Sequence, residues 1–142
     1  MGQSLLQRSF ERILADEIGS DADPRTIGLA VVRICERISH LITPLVGARA
    51  TEALLVRSLR LTSERFPRTI AARSAVDESL SARVEIAVAQ QTPGEARGVA
   101  LSILATFSEQ LASFVGDALM TSTLRRAWPS FAGADDFEGP AS

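Results

Sequence analysis

Few residues in this chain are suited to chemistry: one histidine, His40, one cysteine, Cys35, and a scatter of neighbouring acids. His40 is the one side chain whose ordinary pKa lies near neutrality. It projects from the polar side of an amphipathic segment, one turn after Glu36. An exposed helical histidine beside an acid is the arrangement a phosphorelay acceptor presents. The simpler reading is a surface histidine in the last turn of a helix, favoured there as a cation against the helix dipole. Cys35 lies next to Ile34 on the flank of an apolar seam, where it reads as a small half-buried hydrophobe with nothing nearby to lower its pKa. A single cysteine excludes an internal disulfide, and one cysteine with one histidine cannot supply the usual Cys/His zinc ligands, so neither metal nor cofactor is expected.

The remaining candidates point the same way. Asp16-Glu17 and Asp77-Glu78 are sequence neighbours that face different directions on a helix, which suits solvated charge better than paired acid/base work. A Ser/His/Asp triad could use His40 alone, and no nucleophile elbow accompanies it. Gly94 and Gly98 have no lysine to complete a phosphate loop and no strand before them, so Gly98 reads as a point of close helix packing. No catalytic residue is assigned, and the chain is read as a non-enzyme.

One short segment carries a resemblance. Ser39-His40-Leu41-Ile42-Thr43-Pro44-Leu45 is similar to the phospho-acceptor box of two-component histidine kinases, with a serine and histidine ahead of a threonine, proline and leucine. The resemblance implies phosphotransfer signalling with His40 as acceptor. It covers those residues only, without the acidic residue after the histidine and with one residue fewer before the threonine. That deletion turns the histidine by about 100° relative to the proline.

The elements that must position these residues are helices. Hydrophobic residues make up 46% of the 142 positions and charged residues 23%, the balance of one folded domain. Ser4 to Gln7 forms a capping box, followed by Leu6, Phe10, Ile13, Leu14 and Ile18 at helical spacing and a stop at Gly19-Ser20. Asp23-Pro24 starts a second helix with a narrow seam of Ile27, Val31, Ile34, Ile38 and Leu41. Thr43-Pro44 is read as the start of a third, ending near Phe66 before Pro67. This third helix is apolar on two sides, with Val46, Ala50, Ala53, Leu54 and Leu61 on one and Leu45, Leu55, Val56, Leu59 and Phe66 on the other. Arg57 falls within the first face and is a candidate buried polar residue, the alternative being a stem that snorkels to water. Residues 67 to 91 fit either a helix from about 77 or a half-buried strand, and helix is chosen because a lone strand would leave its ladder groups unpaired. Thr92-Pro93-Gly94-Glu95 opens the longest helix, which is expected to run to Trp128-Pro129. No repeat is evident at a fixed period.

All fifteen basic residues are arginine, spread from Arg8 to Arg126 without a basic block, and net charge is -2, so no nucleic-acid partner is expected. No uninterrupted apolar run reaches a membrane span, and residues 1 to 18 carry charges where a signal peptide would be apolar, so a cytoplasmic protein without a membrane partner is expected. The sequence thus predicts an all-α bundle of four to five helices over residues 1–129, with a long amphipathic C-terminal helix. A short, flexible, disordered acidic tail is expected over 130–142. The surplus apolar surface of the third helix (Leu55, Val56, Leu59, Phe66) and the cluster Met120, Leu124 and Trp128 suggest an interaction or regulatory module that associates through helices, as a homodimer or with a protein partner. A helical pocket for an apolar ligand is a further possibility.

Overall fold

The computed structural model of the chain describes residues 5–19, 21–66 and 79–129. The described residues form six helices and no strand: α1 Leu5–Ile18, α2 Pro24–Val46, α3 Ala48–Arg65, α4 Leu80–Ala89, α5 Pro93–Val115 and α6 Asp117–Ala127. The expected tail over 130–142 and the capping serine Ser4 lie outside the described residues.

Where the start signals are local, the helices begin as the sequence predicts. The Asp23 carboxylate accepts from the Thr26 amide at 2.8 Å, and this bond holds its pKa below the ordinary value near 3.8. Thr92 Oγ1 accepts from the Glu95 amide at 3.3 Å. Ser79 caps α4 through the Ala82 amide, so the described part of the ambiguous segment is helical over Leu80–Ala89; residues 67–78, with Asp77-Glu78, lie outside the described residues.

The internal boundaries differ. Pro44 does not start a helix but lies inside the last turn of α2, where its missing amide removes a single internal bond. The chain turns instead at Gly47. The long C-terminal helix is likewise two helices, broken at Gly116. Both elbows have the same backbone: φ 93°, ψ 153° at Gly47 and φ 95°, ψ 152° at Gly116. That region of conformational space is open essentially to glycine alone. Gly47 N–H donates to Thr43 O and Gly116 N–H to Ala112 O, each at 2.7 Å.

These elbows reveal a repeat that the side chains conceal. Pro24 and Pro93, like Gly47 and Gly116, lie 69 positions apart, and α2 and α5 both have 23 residues. In that register Ile34 matches Ile103, Ile38 matches Phe107, Ile42 matches Leu111, and Leu55 matches Leu124, all buried. The first helix of each half has the same buried spacing, Phe10, Ile13 and Leu14 in α1 against Val84, Ala87 and Val88 in α4. The packing crosses between the halves: α4 lies chiefly on α2 and α3 on α5, while α1 packs on both α5 and α2 and α6 on both α5 and α2.

The core runs along the contact between α2 and α5. In α2 the seam holds through Ile38 and then passes to Ile42, with Leu41 half-buried, as expected when an ideal helix of 3.6 residues per turn drifts from a repeat of 3.5. Every residue of α5 from Leu101 to Ser108 is buried. By length and composition α5 could cross a bilayer, and its central place among the other helices accounts for that composition. The polar Ser102 and Thr106 are covered as well, and Ser102 Oγ pairs with Thr62 Oγ1 of α3 at 3.2 Å. At Gly28 the backbones of α2 and α4 touch: a Cβ there would sit 2.8 Å from Glu85 O.

Candidate functional site

The interface candidates are for the most part covered by the chain itself. Leu55, Leu59, Met120 and Leu124 are buried, and Val56 and Phe66 are half-buried. The Phe66 ring lies over Gly98, where a Cβ would be 3.4 Å from Phe66 Cζ, in keeping with close packing at that glycine. Trp128 is half-buried at the end of α6, edge-on to Phe10 with ring centres 6.2 Å apart and planes at 79°. The Arg37 guanidinium covers it 5.7 Å from the ring centre. Arg57 is exposed, not buried: its position on α3 faces solvent, so the long side chain reaches water without an internal partner. Large apolar side chains do remain exposed at Leu29, Leu45, Phe114 and Leu119.

His40 and Cys35 meet in one place. Both line a cleft of about 540 Å³ between α2, α3 and the start of α4. Its floor is apolar, made by Val32, Cys35, Leu55, Leu80 and Val84. Its rim is polar, with Glu36, Ser39, His40 and Thr43 from α2, Glu52 from α3 and Ser81 from α4. Ser81 Oγ donates to Glu36 Oε2 at 3.0 Å and ties α4 to α2 beside the opening. Thr51 also lines the cleft, its hydroxyl donating to Gly47 O at 2.7 Å within its own helix.

One side of the crossed packing, formed by α2, α3 and α4, lines the cleft with smaller side chains than its counterpart, formed by α5, α6 and α1, carries. In the register set by the prolines and elbows, Cys35 corresponds to Leu104 and Thr51 to Met120. The shared buried spacing of the first helices pairs Val84 with Phe10. Where the side formed by α5, α6 and α1 places leucine, methionine and phenylalanine, the side formed by α2, α3 and α4 places cysteine, threonine and valine, all six being buried. Close-packed interiors leave few voids larger than water, so three reductions around one point open a usable volume. At about 540 Å³ it falls within the roughly 300–1,000 Å³ typical of small-molecule sites.

Burial in the apolar floor, aided by the Glu36 carboxylate, pushes the Cys35 thiol up to about 12, so at neutral pH it is a protonated hydrophobe rather than a nucleophile. His40 is exposed at the rim, and α2 continues past it to Val46, so the segment resembling a phospho-acceptor box lies on one unbroken helix. Among the described residues no group of three or more His, Cys, Asp or Glu side chains could hold a metal ion. Sequence reasoning picked out His40, Cys35 and Glu36 but missed Thr51, Glu52 and Val84. Comparing side-chain sizes across Val46-Gly47 and Val115-Gly116 would have flagged Thr51. No protein-family model, curated protein or solved structure matches this chain.

Proposed function

We propose that the protein is a non-enzymatic helical binding module whose ligand site is the cleft between α2, α3 and α4. The observation that carries this reading is an asymmetry of the crossed packing: the cleft is lined by Cys35, Thr51 and Val84 where the side formed by α5, α6 and α1 has Leu104, Met120 and Phe10. An apolar floor with a few convergent polar groups at its mouth is the usual composition of a small-molecule site. The test is titration with the neutral fluorophore N-phenyl-1-naphthylamine. Wild type should bind it saturably at one site with a gain in fluorescence. Thr51→Met, which carries the occluding side chain of the opposite half, should not. Equal binding by both proteins would remove the cleft from consideration.

A second reading, self-association as a homodimer through helix–helix contact, is supported by Phe114 at 62% exposure and Leu119 at 39%, which flank the Gly116 elbow. Exposed aromatic and leucine side chains in one place are the composition of an interface core. Sedimentation equilibrium of wild type and Phe114→Ser tests it. A monomeric wild type at high micromolar concentration ends the reading.

A further inference from the structure

We infer that the cleft selects an organic cation with an apolar body, a small alkyl or aryl amine; the inference rests on the cleft being a binding site. Two observations converge. The carboxylates on its rim are Glu36 and Glu52, and no described arginine lines it, although arginine is the chain's only basic residue besides His40. These carboxylates belong to the open half alone, because their counterparts in the 69-residue register are Ala105 and Thr121. The negative charge therefore accompanies the opening and is not a general property of the repeat.

An ammonium group is a compact donor of three hydrogen bonds and no acceptor, and it matches that rim. The apolar body of the ligand would lie on Cys35, Leu55 and Val84, where the local surface offers only weak polar contacts. An anion of the same shape would meet Glu36 and Glu52 with like charge.

The experiment uses three probes with one body and different heads: 4-phenylbutylammonium, 4-phenylbutanol and 4-phenylbutanoate. Each is titrated by calorimetry into the full chain at pH 8, above the ordinary range of histidine. The ammonium should bind about tenfold tighter than the alcohol, since hydrogen bonds to charged groups are roughly twice as strong as neutral ones, and the carboxylate should bind weakest. Glu36→Gln and Glu52→Gln keep side-chain size and acceptor oxygen. Each should weaken ammonium binding by about threefold to tenfold while leaving the alcohol unchanged, and raising salt should weaken the ammonium selectively. If all three heads bind alike and all are lost in Thr51→Met, the cleft stands and cation selectivity is wrong. If none binds while N-phenyl-1-naphthylamine does, the site is apolar without head-group recognition and the inference fails. If neither the probes nor the fluorophore binds, the cleft reading and the inference fall together.

Discussion

Exchanging residue 51 for its counterpart tests the packing argument without any ligand. Thr51→Met puts the side chain of Met120 into the open half. Thr51 is 3% exposed and lines the cleft, so the added thioether enters space that is already walled by Cys35, Leu55 and Val84. Full burial of a methionine is worth about 1.5–3 kcal/mol, and a cleft open on one side yields about half of that, roughly 1 kcal/mol. The Thr51 bond to Gly47 O is lost, at about 0.5 kcal/mol for a local hydroxyl, and the better helix propensity of methionine returns about 0.4 kcal/mol. The net expectation is a gain of about 1 kcal/mol, or a Tm higher by roughly 3 °C. Urea unfolding reads it as a raised midpoint at unchanged slope. The reverse exchange, Met120→Thr, hollows a filled site and should lose about 2–4 kcal/mol, because Met120 is 2% exposed. A loss of 1 kcal/mol or more in Thr51→Met would refute the claim that positions 51 and 120 occupy equivalent space. So would a harmless Met120→Thr.

Three further outcomes follow from the geometry. Gly28→Ala forces a Cβ to within 2.8 Å of Glu85 O, so α4 must move off α2; a loss of about 1–3 kcal/mol is expected, with no change in helix content by circular dichroism of the folded state. Gly116→Ala places a side chain at φ 95°, ψ 152° and should lose about 2 kcal/mol, roughly 6 °C in Tm, and Gly47→Ala should behave alike; a large difference between them would separate elbows that the backbone angles equate. Asp23→Ala should destabilise most above about pH 4. The Asp23 pKa is lowered in the folded chain, so its contribution is fully present above the unfolded value and fades as pH falls through the folded one, and the gap between variant and wild type should close in acid.

Much of the fold was legible because start signals are local. Asp23-Pro24 and Thr92-Pro93 each place a capping oxygen and a ring with fixed φ within four residues, and the helices begin there. The ends were harder. Gly47 and Gly116 sit inside apolar, helix-compatible runs, and a glycine within such a run is tolerated as often as it turns the chain. Thr43-Pro44 has the sequence of a start, yet Thr43 O accepts from Gly47 N–H and closes the preceding helix. The apolar residues Leu55, Leu59, Met120 and Leu124 are buried within the chain, α3 packing chiefly on α5 and α6 on both α5 and α2, at separations no periodicity records. The cleft was the least legible part. Its rim histidine could be named, but its volume arises from what Cys35, Thr51 and Val84 lack, and a small side chain gives no signal until its larger counterpart is beside it.

The crossing of the two halves bears on how the chain acquires its structure. Since α4 rests mainly on α2, α3 on α5, and α1 on both long helices, the core of each half is completed by helices of the other. During synthesis α1, α2 and α3 emerge first and must wait, with Phe10, Leu14 and Ile38 unsheltered, until α5 and α6 follow. Contacts between residues this far apart in the chain slow folding and lengthen the interval in which apolar surface is open to other chains. A nascent chain arrested near Phe66 should therefore be sensitive to proteases and bind chaperones, whereas one released after Pro129 should not. The same crossing makes the finished molecule cooperative: pulling away either short first helix uncovers the long helix of the opposite half, so the two halves should unfold in a single transition.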